Sequence, residues 1–309
     1  MRKYIILCGM AALMMLLLCG CQRDYYGKGL PFEMSTSKLP GYSNATISAM
    51  SADNYERFME ASYIQVVDKF GTLRKIKISP NIPRHDWDFS KLDDSDVFKN
   101  YIEDDGSKKR VGIDVSEHQG VIDWETASQY IDFAIVRVGY RGYANGNIVT
   151  DAYYTTNMNG AIGNGVPVGV YFYSQATTYE EGVEEANYVL NLLGDYALSY
   201  PIVLDREDPM QDDARTNNLT AEQHTQAALG FLETIEAAGR SAMIYTNQVY
   251  FALYLDLEQL VGYPMWFAQY ANEPIWPYEF SVWQYSESGE VPGISGPVDM
   301  NIEMMSPQG

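Results

Sequence analysis

The sequence predicts an α/β fold, a (β/α)-barrel of the TIM-like type preceded by a small N-terminal accessory region. Three observations predict it. Eight short apolar or alternating runs recur over about 195 residues from Val111 onward, as strands do. Helical patterns separate the early runs, and strands alternating with helices build βα units around a parallel sheet. The last three runs follow one another closely. Only nine residues separate Tyr270 from Phe280 and eleven separate Ser286 from Val298. A parallel crossover needs a dozen or more residues. The barrel is therefore expected to close with bare strands, some of them antiparallel.

The chain opens with Arg2 and Lys3 before an apolar run from Tyr4 to Leu18, the pattern of a secretory signal. This run is short for a membrane span, which takes about 20 apolar residues. It ends in Leu18-Cys19-Gly20-Cys21, which resembles the lipobox of bacterial lipoproteins. On that reading residues 1–20 are removed and Cys21 carries the lipid, so the protein is expected to be exported and anchored to the cell envelope. Cys8 and Cys19 leave with the signal, and no intramolecular disulfide is expected. What remains holds 19 basic and 41 acidic residues, a net charge of −22. A chain this acidic lacks the basic footprint that nucleic acid requires.

Residues 21–108 read as a tether and accessory region. "STSKLPGYSNATISAMSADN" is small and polar, as tethers are. "SYIQVVDKFGTLRKIKIS" alternates on both sides of Gly71 and predicts a β-hairpin. "KLDDSDVFKNYIEDDGSKKR" is charged and reads as a linker with a short helix. Because every barrel strand lies beyond it, a chain starting near Lys108 is expected to fold alone.

Residues 109–309 hold the barrel. Its strands are expected at 111–116, 133–140, 166–175, 200–207, 241–247, 265–270, 280–286 and 298–302. Helices are expected over 178–194 and 220–239. In the second, Ala221, Ala228, Leu229, Leu232 and Ile235 share a face, Thr220 can cap the start and Gly239 can end it.

"YPIVLDRED" (200–208) runs an apolar strand into three carboxylates. Side chains at i and i+2 share one strand face. Asp205 and Glu207 therefore point together, at the strand end where barrel active sites lie, and Arg206 points to the other face. Asp114 near the end of the first strand and Asp299 in the last can join them once the barrel closes. Tyr140, Tyr171, Tyr173, Trp266, Tyr270, Trp283 and Tyr285 lie near the same ends. Carboxylates among aromatic platforms suit glycoside hydrolysis, in which one acid donates a proton and another carboxylate stabilises the developing cation. The charge of Asp205 and apolar Val203 are expected to raise the Glu207 pKa. A plainer reading has Asp114 capping a turn and Asp299 paired with Arg137 or Arg141. The three histidines, His85, His118 and His224, have no ligand-like spacing, and neither metal nor cofactor is expected.

"GIDVSEHQGVIDW", "FAIVRVGY", "GVYFYSQA", "YPIVLDRED", "MWFAQY" and "VWQYSESGEVPGISGPVDMN" resemble, in this order, the motifs of glycoside hydrolase family 25, the N-acetylmuramidases called Chalaropsis-type lysozymes. The resemblance spans about residues 109–305. It implies a barrel of five βα units and three further strands, and hydrolysis of the β-1,4 bond between N-acetylmuramic acid and N-acetylglucosamine in peptidoglycan, with retention and without metal. It further implies that Glu207 is the general acid/base. Asp205 would assist attack by the substrate's own 2-acetamido group, with Asp114 and Asp299 as supporting acids. Substrate contacts are assigned to Tyr140, Tyr173, Gln269, Tyr270, Trp283 and Gln284. The expected partners are peptidoglycan and, through the anchor, a membrane; no obligate protein partner is evident. A non-catalytic wall-binding lipoprotein on the same scaffold and a chitin-cleaving relative are the alternatives.

Overall fold

A computed structural model describes residues 62–307. The signal segment, Cys21 and the polar stretch after it lie outside the described residues. The described chain begins with the hairpin expected around Gly71. Its strands β1 (Tyr63–Val67) and β2 (Leu73–Lys77) pair antiparallel, with Val67 opposite Leu73. The region expected as a linker with a helix instead forms two short antiparallel strands, β3 (Leu92–Asp93) and β4 (Asn100–Tyr101). The reason is local. Asp93 and Asp105 accept from backbone N–H groups two residues on, a turn geometry that competes with the helix.

All eight expected barrel strands form. They are β5 (Val111–Val115), β6 (Phe133–Arg141), β8 (Val168–Tyr173), β9 (Ile202–Asp205), β10 (Ala242–Asn247), β11 (Met265–Ala268), β12 (Val282–Gly289) and β13 (Val298–Glu303). A short β7 (Ile148–Thr150) lies antiparallel on β6. Pairing of β5 with both β6 and β13 closes the sheet on itself. Five strands are followed by helices: α1 (Trp124–Ala127), α2 (Tyr154–Gly163), α3 (Tyr179–Leu193), α4 (Ala221–Ala237), and the pair α5 (Gln248–Tyr254) and α6 (Leu257–Leu260). Three bare strands complete the barrel. Only β13 runs antiparallel to its neighbours; β11 and β12 are parallel. The strands end sooner than expected, so the stretch between Ala268 and Val282 is long enough to cross over without a helix.

The long helices begin and end as their sequences dictate. Thr220 and Gln223 form a reciprocal capping box at the start of α4, and Gly239 adopts φ +72° just past its end. Two glycines let α3 and α4 touch. A Cβ on Gly182 would sit 2.2 Å from the Ala227 carbonyl oxygen, and one on Gly230 would sit 2.1 Å from that of Tyr179. Ala228, Leu232 and Ile235 are buried as expected, but Ala221 and Leu229 are only half-buried, because the buried stripe runs instead through His224, Ala227 and Phe231.

Two cores result. The smaller fills the barrel interior with Phe133, Ile135, Val203, Met243, Trp266 and Val282. The larger lies between barrel and helices, and the accessory region is part of it. Ile64, Val66, Ile82, Phe98 and Tyr101 are buried in the same cluster as Phe251, Trp276 and Phe280. Ser79 N–H donates to the Tyr278 hydroxyl, Lys99 N–H to that of Tyr285, and Lys99 Nζ to the Asn272 carbonyl. Residues 62–108 thus complete the barrel's outer layer. Removing them would uncover apolar surface at roughly 25 cal/mol per Å², a cost that the expectation of a self-sufficient 109–309 unit leaves out.

Candidate active site

Strand alternation sets the site. On β9, Ile202, Leu204 and Arg206 face the helices, whereas Val203, Asp205 and Glu207 face the barrel axis. Register then aligns the neighbours. Tyr173 on β8 and Tyr245 on β10 both pair with Asp205, and Trp266 pairs with Tyr245. At the seam, Asp299 on β13 lies directly opposite Asp114 on β5. The four carboxylates expected at one mouth therefore line a single cavity of about 470 Å³. Tyr173, Tyr270 and Gln284 line it as well.

Tyr140, Gln269 and Trp283 do not. Tyr140 is in register with Tyr173, pairs with Val149 of β7 on its other side and lies under the Arg137 guanidinium at 5.5 Å. Trp283 neighbours inward-facing Gln284 and so faces outward. It is fully buried and donates from Nε1 to the Gln269 carbonyl at 2.9 Å. The Gln269 side chain is occupied by Gln248 and by the Ile275 backbone. Placing Gln269 and Trp283 in the site followed the motifs and overlooked the phase of their strands, whereas Tyr140 shares the face of Tyr173.

Asp114 is the most tightly held acid. Gln284 Nε2 and Asn301 Nδ2 both donate to its Oδ2, at 2.9 and 2.8 Å. Their own oxygens are engaged in turn. Tyr245 and Tyr270 hydroxyls donate to Gln284 Oε1, and Trp266 Nε1 donates to Asn301 Oδ1. These amides can therefore point only one way. The sequence reading named neither Asn301 nor Tyr245 for the site, although Tyr245 stands two residues after inward Met243 and could have been found by alternation.

Burial pushes all four acids up. It is the largest effect on each, and like charges follow for Asp205, Glu207 and Asp299. Asp114 is held at about 6, where burial outweighs the pull of Asn301 and Gln284. Burial takes Glu207 to about 7, with Asp208, Asp114 and Glu287 adding to it. Asp299 goes to about 9, through burial, Asp114 and Glu287. Asp205 rises well above the carboxylate range, by burial and then by Glu207 and Asp114. Asp205 and Glu207 stand close enough to raise each other, and Asp208 adds to the effect of burial on Glu207. The Asp205 Oδ1 is buried without a hydrogen-bond partner. Leaving such an oxygen unmatched costs about 1–3 kcal/mol, so it marks a place where a donor is expected.

The plainer pairings do not occur. Arg137 lines the cavity but binds Asp151 at 2.7 Å and Glu117 at 3.1 Å, and Arg141 binds Glu184 and Glu185. His118 lines the cavity, whereas His85 and His224 sit in packed layers elsewhere. Among the described residues no group of three or more His, Cys, Asp or Glu is placed to hold a metal ion.

A closed α/β barrel of eight strands, with acids gathered at an aromatic mouth, defines a glycosidase-type barrel. The chain belongs to glycosyl hydrolases family 25, which matches residues 113–294. It is similar to the uncharacterized protein YegX of Escherichia coli strain K12, at 27% identity over 62% of this chain and 68% of that protein. It is also similar to the autolytic lysozyme of Clostridium acetobutylicum, at 26% identity over 62% of this chain and 54% of that one. The crystal structure of the bacterial lysozyme from Streptomyces coelicolor superposes with a TM-score of 0.53 at 27% identity, over 64% of this chain and 93% of that one. Nearly the whole of that lysozyme is thus matched by about two thirds of this chain.

Proposed function

We propose that the protein is a muramidase that hydrolyses the β-1,4 bond between N-acetylmuramic acid and N-acetylglucosamine in peptidoglycan. The observation that carries this reading is the pair Asp205 and Glu207 at the mouth, one with an unmatched oxygen and the other holding a proton near neutral pH. Glu207 acts as general acid, protonating the glycosidic oxygen as the bond to the anomeric carbon breaks. Asp205 accepts the N–H of the substrate's 2-acetamido group, which fills its empty hydrogen-bond position. The two acids titrate together, and the form that reacts has the proton on Glu207 and the charge on Asp205. The acetamido oxygen then attacks the anomeric carbon, while ionised Asp205 stabilises the positive charge that develops. Glu207, now a carboxylate, takes a proton from the water that completes hydrolysis. Asp114 and Asp299 shape the acidic floor, and Tyr173 and Tyr270 offer ring surface to the sugar.

Loss of turbidity from purified peptidoglycan, with mass spectrometry of the released fragments, tests the reading. Fragments ending in reducing N-acetylmuramic acid are expected. Binding without any cleavage would instead leave a wall-binding lipoprotein, and cleavage of chitin alone would change the substrate. We further propose export and anchoring through Cys21. A Cys21→Ala protein that still partitioned into detergent would refute the anchor.

A further inference from the structure

Three of the four acids at the mouth stand on strand residues: Asp114 on β5, Asp205 on β9 and Asp299 on β13. Glu207 does not. It stands two residues past the last residue of β9, where the sheet runs out. The final backbone bonds to this segment lie just before it. The Asp205 carbonyl accepts from Ser174 N–H at 2.8 Å, and Arg206 N–H donates to the Tyr245 carbonyl at 3.0 Å. A catalytic carboxyl so placed needs something else to hold it, because a displacement of about 1 Å can cost roughly 10²-fold in rate.

Two side chains outside the sheet supply that hold. Gln175, fully buried, donates from Nε2 to the Glu207 carbonyl at 3.2 Å. Its Oε1 accepts from the Thr216 hydroxyl at 2.9 Å, so the amide can point only one way. Arg206 is fully buried in the layer between barrel and helices. Its Nη1 donates to Ser174 Oγ at 3.2 Å and its Nη2 to His224 Nδ1 at 3.0 Å. Arginine only donates, so Nδ1 is bare, the ring is neutral and its proton sits on Nε2. The Tyr250 hydroxyl therefore also donates to Nδ1, at 2.9 Å. Ser174 follows β8, His224 comes from α4 and Tyr250 from α5, so three elements converge on the end of one side chain.

The groups that Arg206 bonds are all neutral. Glu185 feels its charge, but the bonded oxygen of Glu185 is taken by Arg141, and Arg206 Nε has no partner. Burying a cation in this way costs stability, and an apolar side chain would fill the space without that cost. What the guanidinium adds is direction. Its donors lie in a rigid plane and fix, from behind, the residue that separates Asp205 from Glu207.

We infer that Arg206 and Gln175 are positioning residues for the catalytic pair, clamping from the outer side of the barrel wall the chain end that presents Asp205 and Glu207 to the cavity. The roles of the two acids rest on the muramidase reading; the clamp itself does not. Neither Arg206 nor Gln175 lines the cavity, so their loss acts on the geometry of the acids and not on contacts with the sugar.

The test separates kcat from KM on soluble peptidoglycan fragments, with each protein assayed well below its melting temperature, and compares crystal structures of parent and variants. Arg206→Met keeps the apolar stem and removes the donors, and Gln175→Met removes the donation to the Glu207 carbonyl. Each should lower kcat by roughly 10–100-fold with KM unchanged, as a displacement of up to about 1 Å does. The Glu207 carboxyl should be shifted or split between positions in both. Arg206→Lys restores a donor and should recover part of the rate. An unchanged kcat in either Met variant, a loss that appears only as a raised KM, or a Glu207 that superposes on the parental one would overturn the proposal. So would an Arg206→Lys protein no better than Arg206→Met, since packing would then be all that counts. If Arg206→Met does not fold, Arg206→Lys and Gln175→Met decide, each by a kcat below that of the parent or equal to it. If the parent protein cleaves nothing, the muramidase reading fails while the crystal structures still answer whether the clamp holds Glu207.

Discussion

On the outward side of β9, Arg206 is fully buried yet donates to Ser174 Oγ and His224 Nδ1, and nearby Arg141 grips Glu185 and Glu184. On the inward side, one residue away, Asp205 is buried among other acids with an oxygen unmatched. Both layers carry charge out of water. The outer one sets each charge against an opposite charge or a hydrogen-bonding group, although Arg206 Nε and Glu185 Oε2 are left without partners there too. The inner one leaves like charges together and lets protons neutralise them. A layer arranged only for stability would not keep the second pattern, and the contrast marks which side of the strand works.

Removing the inner acid should have the largest effect. Glu207→Gln is expected to lower the rate on peptidoglycan by roughly 10²–10⁴-fold, the usual share of general acid catalysis. A variant keeping more than about a tenth of the rate would move the acid elsewhere, with Asp114 or Asp299 next to test.

Breaking the outer layer should instead cost stability. Arg141→Met strips fully buried Glu185 of its ion-pair partner and leaves only Arg206 as a cation within reach, and removing one partner from such a pair costs about 3–5 kcal/mol. Urea unfolding measures it. A stability unchanged by this substitution would mean that the outer layer is not held by pairing.

Glu207 in the inner layer and His224 in the outer one respond oppositely to pH. Glu207 holds its proton more tightly folded than unfolded, so its contribution is present below pH 4.5 and lost as pH rises through about 7. Glu207→Gln should therefore melt higher than the parent at pH 8, by roughly 1–3 kcal/mol, while being the poorer catalyst. His224 behaves the other way. Burial and Arg206 hold it well below its usual value, so its contribution is present above pH 6.5 and lost on acidification. Melting temperatures from pH 5 to 8 for Glu207→Gln and His224→Gln should separate the two trends.

The smallest effect sharpens the boundary between layers. Trp283→Phe removes one hydrogen bond to the Gln269 carbonyl and should cost about 1 kcal/mol of stability with KM unchanged. A raised KM would put Trp283 back in the site.

These contrasts also show what a sequence reveals. Asp205 and Glu207 were legible because i, i+2 spacing fixes a shared face whatever the rest of the barrel does. Asp114 and Asp299 were legible from their places at strand ends. Trp283 was misread because a motif says which strand a residue is on, whereas facing depends on the parity of a register that only pairing sets. The amides of Gln284 and Asn301 converge on Asp114 from two other strands, and no local pattern announces that. Helix α2 escaped notice because it carries buried Asn157 and no clean apolar stripe.

The seam between β5 and β13 has a consequence for how the protein comes into being. Asp114 and Asp299 meet only when the first and last strands of the barrel zip together, and that pairing joins the two ends of the barrel. Contacts of such long sequence separation carry a high entropic cost of loop closure and form slowly. Until then a nascent chain can bear Asp205 and Glu207 on a finished β9 while two of the four acids remain apart. The chemistry is assembled last. A chain still emerging can therefore bear Asp205 and Glu207 without the closed mouth that brings Asp114 and Asp299 to them.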